Sequence, residues 1–238
     1  MSKISVLTYN IDKREHNYQE RLDAFIETVQ KEDPDLIAVQ EGTRLTYEII
    51  LRKLSGYKKF LPEQVRFRKS GEALFSKYPI SETNFLPFPK ATDKKGLTIA
   101  KVDVWGQKDL WLVTSQFDDN VTLKRDQIAS IPKLLRNCGD IIIFAGDTRI
   151  LEYQNDLTGP VGWFDAWYEA GNEEEKFSYN SIVNPLATYP LKDRPDRVWF
   201  YPDDSIDCIS CRLVGRDSKV VVSSHYGVSA EFEFDETF

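Results

Sequence analysis

The sequence predicts a layered α/β domain in which two β-sheets pack together with helices on the outside. Three observations lead to this fold class. Many short apolar stretches have the pattern of strands, only three stretches are predicted as helices, and the first helix lies between two strands. The chain has 238 residues, 41% of them hydrophobic, and no linker or repeat divides it, so we expect one domain over residues 1–238.

The chain begins with a strand, a helix and a second strand. Apolar and polar residues alternate over residues 3–10, which predicts a strand that ends at Asn10. Residues 18–31 have apolar positions at the spacing of a half-buried helix. Pro34 ends this helix, and the apolar stretch DLIAVQ then predicts a strand that stops before Glu41. The apolar positions of the helix are Leu22, Phe25, Ile26 and Val29.

The remaining elements follow from similar patterns. Further helices are predicted over residues 44–54 and 122–136. Residues 151–193 carry few periodic signals and are predicted to be mainly loop. Short turns between several strands favour antiparallel pairing alongside any parallel pairing. Further strands are predicted at 57–62, 71–77, 81–87, 97–105, 110–116, 140–146, 197–201, 206–214 and 219–234, the last one broken near His225.

The net charge of −7 argues against a protein that binds duplex nucleic acid mainly by charge, because such proteins are usually basic. Nucleic-acid binding would need a local basic patch, metal ions or a small ligand instead. Residues 57–70 and 89–96 are candidate patches, although solvated surface charge explains both stretches as well.

The cysteines and the start of the chain predict an intracellular protein, cytoplasmic or nuclear, that is not secreted. Three cysteines are too few for a disulfide framework. The chain enters a strand at once, without room for the basic and apolar segments of a signal peptide. No stretch approaches the roughly 18 consecutive apolar residues of a membrane span, so none is expected. The cysteines are Cys138, Cys208 and Cys211.

Polar residues follow five of the predicted strands at the point where the apolar run stops. In α/β sheets such strand ends are where ligands and catalytic groups collect. A single polar residue there is usually only a strand terminator, but five carboxylate, amide or imidazole groups together predict a shared site. The five are Asn10, Glu41, Gln116, Asp147 and His225.

The chemistry of these groups indicates phosphoryl transfer assisted by a metal ion. Glu41 and Asp147 are hard oxygen ligands suited to Mg²⁺ or Mn²⁺, and the two histidines and three cysteines are too few for a typical zinc site. A divalent cation can polarise a phosphoryl oxygen and steady the leaving oxygen. A second carboxylate can orient the attacking water, while Asn and His stabilise the developing charge.

Seven short motifs together resemble the endonuclease/exonuclease/phosphatase superfamily, which includes DNase I, abasic-site endonucleases, neutral sphingomyelinases and inositol-phosphate phosphatases. The motifs span nearly the whole chain, and their order is more specific than any one of them. Within the superfamily, TYNID, GDT and DAW (165–167) are most similar to the tyrosyl-DNA phosphodiesterase 2 branch. The motifs are TYNID (8–12), PDLIAVQE (34–41), GEALFSKYPI (71–80), TSQF (114–117), AGDTR (145–149), RPDRVWF (194–200) and SSH (223–225).

The resemblance implies a fold, a metal ion and a role for each matching residue. The fold is a four-layer α/β sandwich of two mixed sheets with helices outside. Glu41 is the implied metal ligand, with Asn10 and Asp147 beside it, and the ion is Mg²⁺ or Mn²⁺. The implied roles are that Asp147 orients the nucleophilic water, His225 contacts the scissile phosphate and Asp196 holds His225.

The implied activity is metal-dependent hydrolysis of phosphate esters by a monomer. Nucleic-acid ends, single-stranded DNA and phosphotyrosyl-DNA adducts are substrates of this class, and so are RNA, phospholipids and inositol phosphates. The sequence does not choose among them, because one fold serves many such substrates through changes in its loops.

Three positions depart from the superfamily pattern. Gln116 stands where a histidine is common, Arg149 where there is asparagine, and Ser224 where there is aspartate. Gln116 cannot release a proton, and Ser224 removes a carboxylate that would bind a second metal or hold His225. The other histidine, His16, lies in a polar stretch and is expected to be exposed.

Arg149 leaves two functions open. It stays protonated, so it could clamp a substrate phosphate, or it could pair with Asp147, occupy the water site and repel the metal. The first case predicts a weakened or altered phosphodiesterase. The second predicts a catalytically impaired relative that binds a phosphorylated ligand without turnover. A third alternative is an interaction protein that keeps the fold and uses other surfaces.

Overall fold

Two six-stranded mixed sheets make up most of the protein. The computed structural model describes residues 2–63, 70–104, 108–139, 141–154, 156–201 and 206–234. In strand order, the first sheet contains β13 (Ile206–Val214), β14 (Gly227–Phe234), β1 (Ser2–Asn10), β2 (Leu36–Gly42), β4 (Gly71–Ser76) and β3 (Lys58–Phe60). The second contains β5 (Ile80–Pro87), β6 (Gly96–Val104), β7 (Lys108–Thr114), β8 (Ile141–Asp147), β12 (Asp196–Tyr201) and β9 (Phe164–Asp165).

Four α-helices, one 3₁₀ turn (Glu173–Glu175) and a short ribbon complete the regular elements of the described residues. The helices are α1 (Tyr18–Glu32), α2 (Arg44–Lys53), α3 (Val121–Leu134) and α4 (Ala166–Ala170). The ribbon pairs β10 (Tyr179–Asn180) with β11 (Lys192–Asp193). No helix in these described ranges is long and apolar enough to cross a membrane.

Successive side chains of a strand point to opposite faces of its sheet, and this alternation produces the layers. In β1, Val6 packs in the cluster between the two sheets, while its neighbour Leu7 packs outward in the cluster with Phe25 of α1. On the other side, Ile131 of α3 packs with Val113 on the outer face of the second sheet. The order is therefore helix, sheet, sheet, helix, which confirms the predicted four-layer fold class.

Local signals fix where the helices begin. Thr43 and Thr46 form a reciprocal capping box before α2. Asn120 caps α3 by accepting hydrogen bonds from the backbone N–H groups of Thr122 and Leu123. These caps set the bounds within one or two residues of the predicted ones.

The described sheets contain two parallel strand pairs, and the candidate site residues lie at the carboxyl ends of these strands. β1 runs parallel to β2, with α1 between them, and β7 runs parallel to β8, with α3 between them. Because parallel strands end at the same edge, Asn10 and Glu41 lie at one edge of the first sheet, and Gln116 and Asp147 lie at one edge of the second. A hydrogen bond from Asn10 Nδ2 to Asp147 Oδ2 brings the two edges together.

Gly146 allows β8 to approach the end of β7. A Cβ at this position would lie 2.5 Å from the backbone oxygen of Ser115. We predict that Gly146→Ala lowers the free energy of unfolding by roughly 1–3 kcal/mol, because the strand ends must separate. Urea unfolding measures this, with Gly56→Ala as the control, since nothing lies within 4 Å of a Cβ at Gly56. Equal stability of the two variants would contradict the close approach.

One prediction about the elements is wrong. Residues 219–223 are not strand, because the side chains of Arg21 and Asn184 donate to the carbonyls of Val222 and Ser223. The predicted break near His225 is present, and β14 begins at Gly227. The stretch 151–193 is mainly loop, as predicted, and it also holds α4, β9, β10, β11 and a 3₁₀ turn (Glu173–Glu175), which are too short to show a period. Of the candidate basic patch at 57–70, residues 64–69 lie outside the described residues.

Candidate active site

The polar residues predicted from the strand ends converge at one edge of the two sheets. Asn10 ends β1, Glu41 lies near the end of β2, and Asp147 ends β8. Gln116 pairs with Asp147 in an isolated parallel bridge beyond β7. His225, just before β14, completes the group, so all five lie together.

Asp147 is the most enclosed member of this group, with 1% of its surface exposed. Its Oδ2 accepts hydrogen bonds from Asn10 Nδ2 at 2.9 Å and Gln116 Nε2 at 3.1 Å. Its Oδ1 accepts from the backbone N–H of Arg149 at 3.0 Å. Burial opposes ionisation, but His225, Arg149 and these donors hold the pKa of Asp147 below its ordinary value. Asp147 is therefore a fixed carboxylate.

His225 is held by Asp196, which lies opposite Asp147 in the register of β12 and β8. The imidazole Nδ1 lies 2.8 Å from Asp196 Oδ2, and Ser178 donates to the same oxygen at 2.6 Å. Burial alone would lower the pKa of His225, but the Asp196 carboxylate raises it to about 9. With Nδ1 engaged by Asp196, the imidazolium presents Nε2 to the pocket.

Glu41 is held in a backbone conformation that non-glycine residues seldom adopt, with φ at 63°. Its Oε1 accepts a hydrogen bond from Gln116 Nε2 at 2.6 Å. Gln116 therefore bridges Glu41 and Asp147 with one amide nitrogen. Strain of this kind persists where surrounding contacts fix the residue, as they do for Glu41.

The Arg149 guanidinium lies among three carboxylates. Nη1 contacts Asp119 Oδ2 at 2.6 Å, Nη2 lies 3.4 Å from Glu41 Oε1, and Nε lies 3.6 Å from Asp147 Oδ2. Burial lowers the pKa of Arg149 and the three carboxylates raise it, with a net increase. Lys124 Nζ donates to the Arg149 carbonyl, which fixes the backbone as well.

Three residues at the site, Asp12, Asp119 and Ser178, escaped prediction from the sequence. Ser224 donates to Asp12 Oδ2 at 3.0 Å, and Arg14 Nε donates to the same oxygen at 2.6 Å. Asp12 lies within the TYNID motif, which was an available signal. Asp119 and Ser178 carry no such signal, because each lies in a loop that only the tertiary structure brings to the site.

The arrangement of ligand atoms shows whether the predicted ion, Mg²⁺ or Mn²⁺, fits this site. In the described part of the chain, one group of ligand atoms lies close enough to hold a metal, all within 4.8 Å of one another: those of Asp147, Asp196 and His225. The ion pair between Asp196 and His225 already uses this group.

The predicted ligands Glu41, Asp147 and Asn10 face a similar difficulty. The oxygens Glu41 Oε1 and Asp147 Oδ2 both accept from Gln116, and both lie within 3.6 Å of Arg149. Asn10 turns its amide nitrogen toward Asp147, while its oxygen accepts from the Asp12 backbone at 3.0 Å. In this arrangement the set does not fit a divalent cation between Glu41 and Asp147.

Two clefts meet at Arg149. One, with a volume of about 640 Å³, contains Asp147 and His225 and has Tyr153 and Tyr189 on its walls. These tyrosines are 73% and 70% exposed. The other cleft, of about 670 Å³, is lined by lysines that include two from the predicted patch at 89–96. They are Lys13, Lys94 and Lys95.

Solved structures with the same architecture include two of TDP2 and one bacterial protein. D. rerio TDP2 complexed with a single-strand DNA product has a TM-score of 0.84 at 21% identity, covering 98% of this chain and 100% of that one. Truncated Caenorhabditis elegans TDP2 has a TM-score of 0.80 at 20% identity, covering 97% of each chain. An endonuclease/exonuclease/phosphatase from Bacteroides vulgatus has a TM-score of 0.81 at 17% identity, covering 99% of this chain and 100% of that one.

Comparison by sequence gives a different result, since no protein-family model and no curated protein matches the chain. The likeness therefore concerns three-dimensional structure, and it extends over nearly the whole chain. The protein therefore has the DNase I-like fold, in the form seen in these structures of TDP2 and of the Bacteroides vulgatus protein.

Proposed function

We propose that the protein binds phosphate esters at the junction of the two clefts and hydrolyses them only slowly. The observation that carries this proposal is the number of protein groups that already contact Asp147. Both of its oxygens accept hydrogen bonds within the protein, and the Arg149 guanidinium lies beside Oδ2. A carboxylate occupied in this way has little capacity left to orient an attacking water.

Phosphate binding is supported by the cations that face the clefts. His225 is paired through Nδ1 and presents Nε2, and Arg149 retains 26% exposure of its side chain. Imidazolium and guanidinium groups form short, charge-assisted hydrogen bonds to phosphate oxygens. Both groups line the same cleft.

A metal-dependent hydrolase is the second candidate, and a specific observation favours it. Asp147 with Asn10, and His225 with Asp196, lie at the same pocket. In this candidate Asp147 orients water and His225 steadies the phosphate. Because Mg²⁺ or Mn²⁺ does not fit between Glu41 and Asp147 as these side chains lie, no step is assigned to the ion.

Single-stranded nucleic-acid ends are the proposed ligand class. A solved structure of D. rerio TDP2 is described as a complex with a single-strand DNA product. In this chain, the exposed rings of Tyr153 and Tyr189 could stack on bases, whereas the net charge of −7 disfavours duplex binding by charge alone. The intracellular location and monomeric state remain predictions from the sequence.

Fluorescence anisotropy tests this function. In buffer with Mg²⁺, a single-stranded oligonucleotide with a 5′-phosphate should bind about tenfold more tightly than its 5′-hydroxyl counterpart, the equivalent of one charge-assisted contact. Duplex binding should be weak and steeply salt-dependent. Tyr153→Ala should weaken single-strand binding by about 1–3 kcal/mol. Tight duplex binding at physiological salt, or indifference to the 5′-phosphate, would contradict the proposal.

A further inference from the structure

Two carboxylate oxygens that should flank a cation instead share protein donors. Glu41 Oε1 and Asp147 Oδ2 both accept from Gln116 Nε2, at 2.6 and 3.1 Å. The amide nitrogen therefore lies between the two oxygens, where a bridging ion would have to lie. Since an amide N–H is a weak positive dipole, it leaves most of the negative charge uncompensated.

The charge compensation comes from Arg149. Its guanidinium spans the same two oxygens, with Nη2 at 3.4 Å from Glu41 Oε1 and Nε at 3.6 Å from Asp147 Oδ2. The guanidinium stays charged and offers five N–H donors in a rigid plane. It lines both clefts, so a ligand in either one reaches it.

The third carboxylate on Arg149 differs from the other two. The Asp119 side chain is 84% exposed, compared with 14% for Glu41 and 1% for Asp147. The Asp119 Oδ2 atom lies on the solvent side of the guanidinium, 2.6 Å from Arg149 Nη1. Separating an exposed carboxylate from its cation costs little free energy, because water solvates the carboxylate that is released. Asp119 therefore lies where an incoming anion could replace it.

We propose that the Arg149 guanidinium replaces a divalent metal as the fixed cation of this site, and that a ligand phosphate displaces Asp119 to bind it. This inference rests on the proposed function and adds that phosphate-ester binding needs no divalent metal. Glu41 and Asp147 hold the guanidinium in place, while the exchange at Nη1 keeps one anion paired with it before and after binding.

The binding test uses a single-stranded oligonucleotide with a 5′-phosphate and a 3′-fluorophore, in buffer containing EDTA or Mg²⁺. Wild-type affinity should agree within about twofold between the two buffers, and Arg149→Asn should weaken binding in EDTA by about tenfold. Asp119→Ala should have the opposite sign and tighten binding, because it removes the competing anion. Arg216→Asn, at a surface arginine paired with Glu175, is the matched control and should change nothing.

The Asn variant is compatible with the fold. Arg149 has φ at 52°, a left-handed conformation that asparagine tolerates well. Arg149→Lys is a second variant that keeps the charge but loses the planar fork, so it should bind the 5′-phosphate more weakly than wild type and more tightly than Arg149→Asn.

Mn²⁺ binding followed by electron paramagnetic resonance tests the position of the cation without any ligand. Wild type should show no Mn²⁺ site that depends on Glu41. Arg149→Asn should gain a site, and the double variant Arg149→Asn with Glu41→Gln should lose it. A Glu41-dependent Mn²⁺ site in the wild type, or no gain in the single variant, would overturn the proposal.

The oligonucleotide-binding test and the Mn²⁺ test together distinguish this inference from the proposed function. Binding of the 5′-phosphate only in the presence of Mg²⁺ would overturn the inference and leave the proposed function standing. Absence of phosphate-dependent binding in both buffers would overturn the proposed function and the inference about the ligand, while the Mn²⁺ arm would still decide which cation occupies the site.

Discussion

Combining Arg149→Asn, Gln116→His and Ser224→Asp is expected to raise metal-dependent hydrolysis of bis-p-nitrophenyl phosphate by roughly 10²–10⁴-fold. The first change removes the guanidinium from beside Glu41 and Asp147. The second supplies a proton donor. The third places a carboxylate next to Asp12, which now accepts from Ser224 at 3.0 Å, and two adjacent carboxylates favour a cation.

The measurement is kcat/KM with Mg²⁺ or Mn²⁺ for wild type, each single variant and the triple variant. Arg149→Asn alone should raise the rate if the guanidinium blocks the site, and should lower or leave it flat if it only clamps the substrate. Asp147→Asn added to the triple variant should abolish the gain, whereas Arg216→Asn should have no effect. A triple variant no faster than wild type would show that other features limit turnover.

Asp165→Asn is expected to lower the free energy of unfolding by about 3–5 kcal/mol, because it leaves two buried guanidinium groups without an anion. Asp165 binds Arg194 through two hydrogen bonds, at 2.9 and 3.0 Å, and Arg197 through one at 3.1 Å. The exposed side-chain fractions of the arginines are 1% and 4%. Asn keeps the shape and the cap on α4 but loses the charge.

Urea unfolding at neutral pH measures this cost, and Asp126→Asn is the control. The pair of Asp126 with Lys90 is exposed, so its loss should cost no more than about 1 kcal/mol. A loss of less than about 1 kcal/mol for Asp165→Asn would show that the buried ion pair contributes little.

The pH dependence of this cost has a definite sign. Burial would raise the pKa of Asp165, but Arg194 and Arg197 hold it below the usual 3.8. A depressed pKa stabilises the fold above the unfolded value and loses that contribution as the pH falls through the folded value. Wild type and Asp165→Asn should therefore converge in stability only in strong acid.

The sequence predicted the fold well where the physical signal is local or periodic. Apolar periodicity placed α1, α2 and α3, and the polar residues after the strands met at one edge because two parallel pairs end there. The motif order gave the same fold that the solved structures show.

What the sequence did not predict depends on loops that only the tertiary structure brings together. Asp119 binds Arg149 although it belongs to no strand or helix, and Ser178 reaches Asp196 from a long segment without periodicity. The loop before β14 has apolar residues such as Val222 that imitate a strand, yet they pack against α1. Charge partners on separate loops leave no pattern in a single sequence.

Anomalous scattering from crystals equilibrated with Mn²⁺ tests most directly whether a guanidinium is the cation of this site. If Arg149 holds that position, wild-type crystals should show no anomalous peak within coordination distance of Glu41 or Asp147, roughly 2.0–2.6 Å for hard divalent cations. Crystals of the triple variant should show one there. A peak bridging Glu41 and Asp147 in the wild type, with Arg149 moved aside, would contradict this account.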